Sequence, residues 1–292
     1  MPFPIQSLFV NTNGIRLHVA VAGPADGPPV VLLHGFPEFW YGWRHQIEPL
    51  AAAGYRVLAP DQRGYNLSGK PRGVDNYRVA TLAADVTGLL DALGYRQVCL
   101  AGHDWGAAVA WETAIRYPER VRRLAILNVP HPDVMSRFLL SNREQFRKSW
   151  YIYFFQLPWI PEAVLRANDW APAVQMLTQS GTPGSFSPQD IEQYRRAWWR
   201  KDAMTSMLNW YRAAFRGALR GPLNPAEIAA RRVYVPTLIL WGKNDIALSY
   251  QMAQPSLDLC TEGRLVTFEH ATHWVQHDEA KAVSQALISF FG

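Results

Sequence analysis

The sequence predicts an α/β fold, in which a mostly parallel central sheet carries helices on both faces and an all-helical lid is inserted between two strands. Three observations lead to this prediction. Short apolar runs alternate with segments of helical periodicity. That alternation stops after residue 130 and resumes after residue 233. Polar residues suited to catalysis directly follow four of the apolar runs.

The strands can be placed in order along the chain. The alternating stretch Ser7–Val21 surrounds turn residues 11–14 and predicts a β-hairpin. Apolar runs at 29–33, 56–59, 97–101, 124–127, 237–241 and 265–268 predict strands that are covered on both faces. Helical patterns lie between them, for example over 81–93 and 107–117. Strands and helices in alternation favour a mostly parallel sheet.

The stretch from residue 131 to about residue 221 has no strand-like run and holds 6 of the 12 tryptophans. Prolines and glycines divide it into several helical segments. We therefore expect a core domain of residues 1–130 and 222–292, with residues 131–221 forming a helical lid, or cap domain. The expected position of the lid is over the carboxyl ends of the strands, where α/β sheets bind ligands.

Composition excludes several classes of protein. With 49% hydrophobic residues in 292, the chain can bury a large core. Its net charge of +5 lies in the lid segment, which holds 12 of 29 basic and 7 of 24 acidic residues. These basic residues are scattered, which favours a solvated helical face and no nucleic-acid partner. Two cysteines give no disulfide framework, and no apolar run reaches about 20 residues, so we expect a cytoplasmic protein without a membrane span.

The stretch AGHDWGAAVA, residues 101–110, predicts a sharp strand-to-helix turn with Asp104 at its exposed point. Gly102 and Gly106 flank Asp104 as in the nucleophile elbow of hydrolases, with Asp in place of Ser. The alternative is an ordinary Asp cap of the following helix. A carboxylate nucleophile suits a saturated carbon that carries a leaving group, and the product is an alkyl ester of the protein. The expected substrate is therefore an epoxide, an alkyl halide or a haloacid.

The segment HGFP, residues 34–37, follows another apolar run and predicts half of an oxyanion hole. The expected donors are the backbone N–H groups of Phe36 and Trp105. They would stabilise the oxyanion that forms when water attacks the ester. His34, Gly35 and Pro37 are expected to support the loop, and Pro37 is a candidate for a cis peptide bond.

An acid and a base follow two later strands in the chain order of this kind of triad. Asp245 is expected to accept a hydrogen bond from His273, and His273 is expected to activate water. His270 competes for the role of base, but His273 precedes an aromatic residue and a helical pattern. His103, beside the nucleophile, is assigned no direct catalytic role.

Over essentially its full length the chain resembles the soluble-type epoxide hydrolases of the α/β-hydrolase fold. The matching stretches are HGFPEFWYGWRHQ, DQRGYNLSGKP, AGHDWGAAVAW, YIYFFQLP, LNWYR, WGKND and THWVQ. The resemblance implies conversion of an epoxide to a vicinal diol, without cofactor or metal. It also implies that Tyr211 and Tyr151 are lid phenols that protonate the epoxide oxygen, with Tyr153 as an alternative at another offset. Thr272 stands where the family usually has glycine before the base.

The expected pocket is aromatic and suits a hydrophobic or aryl epoxide. Its candidate residues are Phe36, Trp105, Phe155 and Trp274, followed by Trp150 and Trp210. Two other functions remain open: a haloalkane dehalogenase with the same triad, and a non-catalytic ligand-binding protein of this fold. Dehalogenases commonly carry Asn or Glu in place of Phe36, and fluoroacetate-type enzymes carry Arg in place of Trp105. The protein is expected to be a monomer or a homodimer.

Overall fold

A computed structural model describes residues 3–218 and 231–292 and confirms the predicted α/β fold. The strands are β1 (Gln6–Thr12), β2 (Ile15–Ala22), β3 (Pro29–Leu33), β4 (Arg56–Pro60), β5 (Val98–His103), β6 (Val121–Leu127), β7 (Thr237–Gly242) and β8 (Gly263–Phe268). They form one sheet in the order β1-β2-β4-β3-β5-β6-β7-β8. Strand β2 pairs antiparallel with β1 and with β4, and the other neighbours are parallel.

The described helices in the first half of the chain are α1 (Arg44–Ala52), α2 (Val79–Ala92), α3 (Trp105–Arg116), α4 (Pro132–Ser141), α5 (Arg143–Lys148) and α6 (Trp150–Phe154). The later ones are α7 (Ile160–Ser180), α8 (Pro188–Trp198), α9 (Ala203–Ala218), α10 (Ala253–Leu257), α11 (Val275–Asp278) and α12 (Ala280–Phe291). Helix α7 is kinked, because the backbone leaves the helical conformation at residues 167–170.

The central strands are buried on both faces, as their uninterrupted apolar runs predict. Along β3, Val30 and Leu32 point into one apolar cluster, and Val31 and Leu33 point into the other. Helices α1 and α12 cover the first face, whereas α2 and α3 cover the second. Successive side chains of a strand point to opposite faces, so a strand between two helical layers needs apolar residues at every position.

The hairpin β1–β2 turns at Asn13 and Gly14, whose φ angles are 41° and 75°. Positive φ at both central residues suits the two-residue turns that match the twist of antiparallel strands. The predicted hairpin is therefore confirmed.

The helices between β6 and β7 lie over the carboxyl ends of the strands. The indole N–H of Trp198 donates to the Pro37 carbonyl oxygen at 2.6 Å, and that of Trp210 donates to the Arg63 carbonyl oxygen at 3.0 Å. Pro37 follows β3 and Arg63 follows β4, so both contacts join the inserted helices to loops at that edge. The predicted boundary at 130/131 falls between β6 and α4, and the boundary at 221/222 lies outside the described residues.

Cys99, in β5, and Cys260 are buried free thiols. None of the helices described for residues 3–218 and 231–292 has the length and apolar character that crossing a membrane requires.

Two glycines, Gly102 in β5 and Gly106 in α3, permit the close approach of this helix to the sheet. A Cβ on Gly106 would lie 2.1 Å from the Leu33 carbonyl oxygen and 2.5 Å from that of His34. A Cβ on Gly102 would lie 2.4 Å from the Gly106 carbonyl oxygen. Backbone atoms cannot yield as a flexible side chain can, so the helix would have to move.

We expect Gly106→Ala to lower the free energy of unfolding by about 1–3 kcal/mol, the usual cost of overpacking. Gly217→Ala is the matched control: it also lies in a helix, and its Cβ would meet nothing within 4 Å. That substitution should raise stability by about 0.5–1 kcal/mol. Urea-induced unfolding measures both. A midpoint for Gly106→Ala at or above that of the wild type would contradict the packing argument.

Candidate active site

Asp104 lies between β5 and α3 with φ 49° and ψ −124°, a conformation that is strained for a residue with a side chain. The Phe36 amide donates a hydrogen bond to Asp104 Oδ1 at 2.6 Å. This approach requires Gly35, because a Cβ there would lie 2.6 Å from the same oxygen. Trp105 is the first residue of α3, and its amide makes no hydrogen bond to the carboxylate in the described structure. The structure thus brings together the nucleophile candidate and one of its two predicted amide donors.

The loop that carries the Phe36 amide is braced by its neighbours. The Phe36–Pro37 peptide bond is cis. His34 is buried, its Nδ1 lies 3.0 Å from the Gly35 carbonyl oxygen, and its Nε2 accepts the Gln62 amide at 3.0 Å. Burial lowers the pKa of His34, so its imidazole is neutral and serves as a hydrogen-bonding brace.

The predicted acid and base meet Asp104 at the carboxyl edge of the sheet. His273 Nδ1 lies 2.7 Å from Asp245 Oδ2, and His273 Nε2 lies 3.5 Å from Asp104 Oδ2. The amides of Ala247 and Leu248 donate to Asp245 Oδ1 at 2.7 and 2.9 Å. The imidazole therefore bridges two carboxylates that come from different strand ends.

Asn128 is a further component of this site. Its Nδ2 donates to Asp245 Oδ2 at 2.9 Å, and its Oδ1 accepts the Gly242 amide at 2.9 Å. Its φ angle is 54°, a conformation that Asn tolerates better than most residues. The sequence does carry a signal for Asn128: it directly follows the buried run of β6, just as the other site residues follow the ends of their strands.

The charges in the triad are coupled. Burial acts to raise the pKa of Asp245, but His273 and the hydrogen bond from Asn128 hold it below its ordinary value. Burial acts to lower the pKa of His273, but Asp245 and Asp104 overcome this effect and raise it to about 10. At neutral pH the site therefore holds an imidazolium between two carboxylates.

A buried polar network contacts the backbone of His273. His103 Nε2 donates to the backbone carbonyl of His273 at 2.8 Å, and Gln276 Nε2 donates to His103 Nδ1 at 3.0 Å. Glu38 accepts three hydrogen bonds: from Gln276 Nε2 at 3.1 Å, His277 Nε2 at 2.8 Å and the Tyr194 hydroxyl at 2.5 Å. Burial acts to raise the pKa of Glu38, but His277 and His103 hold it well below the ordinary value. The sequence pattern does not identify this network, because its members are far apart in the chain.

Thr272, which stands where the family usually has glycine, is hydrogen-bonded to Asp278. Its amide and hydroxyl donate to Asp278 Oδ2 at 2.7 and 2.5 Å, and its Oγ1 accepts the Trp274 amide at 3.2 Å. Asp278 Oδ1 accepts the hydroxyls of Thr182 and Ser185 at 2.8 and 2.6 Å. One half-buried carboxylate, that of Asp278, therefore joins the loop that carries His273 to the segment between α7 and α8.

Two phenols from the inserted helices stand over the site. The ring centroid of Tyr211, on α9, lies 4.9 Å from that of Trp105 and 5.3 Å from that of Phe36. The Tyr151 ring, on α6, lies 6.0 Å from Tyr211, and Phe155 lies 4.9 Å from Tyr211. Burial raises the pKa of both phenols, and the nearby Asp104 carboxylate raises it further. Both hydroxyls therefore stay protonated and can donate.

Several other residues that the sequence offers as site candidates occupy different positions in the structure. The interpretation of Trp150 as a pocket residue is wrong, because its side chain is 64% exposed on the outer surface. Tyr153 is also exposed, as is His270. Trp210 is fully buried in its contact with the loop after β4. The Trp274 ring lies 5.2 Å from that of His273. Its indole N–H donates to the Ser180 hydroxyl at the end of α7.

Comparison with known proteins gives a consistent picture. Residues 28–280 match the alpha/beta hydrolase fold family. The chain is 46% identical to the AB hydrolase superfamily protein YfhM of Bacillus subtilis (strain 168), with 98% of each chain covered. It is 36% identical to epoxide hydrolase 4 of Homo sapiens, covering 96% of this chain and 77% of that protein. The crystal structure of Bacillus megaterium epoxide hydrolase in complex with an inhibitor superposes with a TM-score of 0.86 at 29% identity, over 97% of this chain and 99% of the other. The chain therefore belongs to the epoxide hydrolases of the α/β-hydrolase fold.

Proposed function

We propose that this chain hydrolyses an epoxide to a vicinal diol through a covalent ester on Asp104. The observation that carries the proposal is the placement of two protonated phenols, Tyr151 and Tyr211, over a carboxylate that is also contacted by His273. An epoxide needs a nucleophile on one side of the carbon and a proton donor at the oxygen. The similarity to proteins named epoxide hydrolases supports the same function.

We assign residues 131–221 as the lid, which supplies the two phenols and excludes water from the ring-opening step. The pocket walls in this proposal are Phe36, Trp105, Phe155 and Trp274. Aromatic walls of this kind suit a hydrophobic or aryl epoxide. A bound epoxide would lie between the lid phenols and the Asp104 carboxylate.

In the first step Asp104 Oδ2 attacks an epoxide carbon while Oδ1 stays on the Phe36 amide. The bond from that carbon to the ring oxygen breaks, and a new carbon–oxygen bond joins the substrate to Asp104. The oxygen that leaves takes a proton from Tyr211 or Tyr151, because an alkoxide is far more basic than a phenol. The products of this step are a hydroxyalkyl ester and a tyrosinate.

Formation of the ester removes the negative charge of Asp104, and this change prepares the second step. The pKa of His273 is raised by two carboxylates, so losing one of them lowers it and allows proton release to the tyrosinate or to water. The pKa values of the two phenols also fall, because the same charge raises them. The base therefore becomes neutral only after the nucleophile has reacted.

In the second step neutral His273 takes a proton from water through Nε2, and the water oxygen attacks the carbonyl carbon of the Asp104 ester. The Phe36 amide holds the oxygen on which charge grows, and the Trp105 amide at the start of α3 is the second donor. Asp245 stabilises the imidazolium that forms. The ester bond then breaks, and the leaving alkoxide takes the proton that remains on the added water oxygen. The diol departs, and Asp104 returns as a carboxylate that carries one oxygen from water, beside protonated His273.

The dehalogenase alternative accounts for fewer features of the site. A halide leaves without a proton and has no need of two buried phenols. Phe36 offers it an apolar side chain, and the Trp105 ring lies edge-on against Tyr211 at 4.9 Å. A protein that only binds ligands has no need of the strained Asp104 backbone or of the coupled charges beside it.

Asp104→Asn should lower the pKa of His273 from about 10 by roughly one to three pH units, since one of the two carboxylates that raise it is lost. Titration of the ring by NMR measures this, with His273→Gln to assign the resonance. The raised pKa also means that the pair contributes fully to stability below the unfolded-state pKa. That contribution is lost as the pH rises through about 10. Identical titrations of wild type and Asp104→Asn would contradict the coupling.

A single turnover in heavy-oxygen water should place label in Asp104 and none in the diol, because the oxygen joined to the substrate carbon comes from the enzyme. Mass spectrometry of the peptide that contains Asp104 and of the diol gives the answer. His273→Gln provides the control: it should gain the mass of the substrate and keep it. Label found in the first diol and never in the protein would exclude the ester route.

Tyr211→Phe should slow ring opening by about 100-fold or more, the usual contribution of a general acid, and should leave ester hydrolysis less affected. Stopped-flow measurement of alkylation, with Tyr151→Phe in parallel, separates the two steps. Tyr153→Phe is the matched control, because that ring is exposed and should leave both rates unchanged. An unchanged alkylation rate in Tyr211→Phe would remove the role assigned to it.

A further inference from the structure

We propose that the outer face of helices α5, α6 and the start of α7 docks on an anionic lipid bilayer. The face, called the outer lid patch below, consists of large exposed apolar side chains within one short stretch of the chain. They are Phe146, Trp150, Tyr153, Leu157, Trp159 and Ile160. This proposal does not depend on the reaction assigned above.

The two tryptophans of the patch differ from most others in the protein. Trp159 is 81% exposed and Trp150 is 64% exposed, whereas six tryptophans elsewhere are fully buried. Trp159 also has a φ of 61°, in the left-handed region that disfavours a bulky side chain. Strain and exposure at one residue indicate a function outside the folded core. An indole suits the boundary between water and lipid, because it joins a large apolar ring to one N–H group.

The patch is held in place by the structure below it. The rings of Phe146 and Tyr153 lie 5.6 Å apart, which joins α5 to α6. Arg212, on α9, donates to the Leu157 carbonyl oxygen at 3.0 Å and to Glu162 Oε1 at 2.8 Å. The turn between α6 and α7 is therefore anchored, and the apolar side chains are presented without prior rearrangement.

Exposed basic side chains lie in the same part of the chain as the patch. Arg137, Arg143 and Arg147 are exposed on α4 and α5. Lys148 lies 3.2 Å from Glu144, an exposed acid of the same helix, which leaves the arginines in excess. Each basic side chain near an anionic leaflet strengthens docking, and apolar side chains then enter the interface. The combination of exposed indoles and arginines therefore selects a bilayer with anionic lipids.

A second copy of the chain fits this surface less well. A symmetric dimer places the same patch on both sides of the interface, so it would bring the arginines of both copies into one interface. An anionic bilayer instead complements them. On α6, Trp150 points outward and Tyr151 points into the site, so a docked bilayer would lie directly outside the lid phenols.

The test is co-sedimentation of the purified full chain with vesicles of phosphatidylcholine alone and of phosphatidylcholine with one third phosphatidylglycerol. We expect the protein to bind the anionic vesicles more tightly, and less so as salt is added. The double variant Trp150→Gln with Trp159→Asn should bind at least about tenfold more weakly, since two apolar anchors are lost. Asn tolerates the left-handed backbone at position 159, so this variant should fold.

A second variant tests the charges. Arg143→Gln with Arg147→Gln should lose about fivefold in affinity for anionic vesicles per charge removed and bind neutral vesicles as the wild type does. Tyr234→Ser is the matched control: Tyr234 is 64% exposed and precedes β7, at the edge of the sheet opposite the lid. Its binding should equal that of the wild type. Thermal unfolding of each variant shows that loss of binding is not loss of fold.

Three results would overturn the proposal. The wild type could fail to bind anionic vesicles. The variant at 150 and 159 could bind as tightly as the wild type. Light scattering could show a dimer that the same variant dissociates, which would assign the patch to a second copy of the chain.

Discussion

The partly buried carboxylate of Asp104 is the group on which the rest of the site depends. Moving a carboxylate out of water costs several kcal/mol unless other groups replace the water. The Phe36 amide and His273 do so here, and the start of α3 favours the charge through its dipole. Gly35 is needed for the same reason, because the amide can approach only where no Cβ intervenes. The close contact at Gly35 follows from placing this charge at a strand end, and together with Asp245 the same charge raises the pKa of His273.

Much of this arrangement could be predicted, because parallel strands buried on both faces carry a strong signal. The runs at 29–33, 56–59 and 237–241 match β3, β4 and β7 within one residue. Strand β5 continues two residues past its predicted end, to His103, which pairs with Leu127. The pattern of apolar residues does not show that a strand continues into a polar residue such as His103. The order of the polar strand ends nevertheless predicted that Asp104, Asp245 and His273 lie together, since such ends converge at one edge of the sheet, and the structure brings them together.

The supporting residues could not be predicted, because their partners are distant in the chain. Glu38 meets Tyr194 of α8 and His277 of α11 across 156 and 239 residues of sequence, and no spacing indicates these contacts. Thr272 is similar. Its hydroxyl donates to Asp278, and Asp278 also accepts the hydroxyls of Thr182 and Ser185 from the segment between α7 and α8. The error at Trp150 has another cause. Helix α6 has five residues, which is too short for a periodic pattern to show which side faces inward.

The inserted helices share an apolar cluster with the core, and polar contacts between the two add to it. Glu38 binds Tyr194, Asp278 binds Thr182 and Ser185, and the tryptophan indoles bind backbone carbonyls. Such contacts contribute little net stability, because water solvates the same groups when they separate, but they strongly favour one orientation. Apolar packing alone would define the position of these helices less well, because it is not directional. The function proposed above requires Tyr151 and Tyr211 to stand over Asp104, and the polar contacts favour the orientation that places them there.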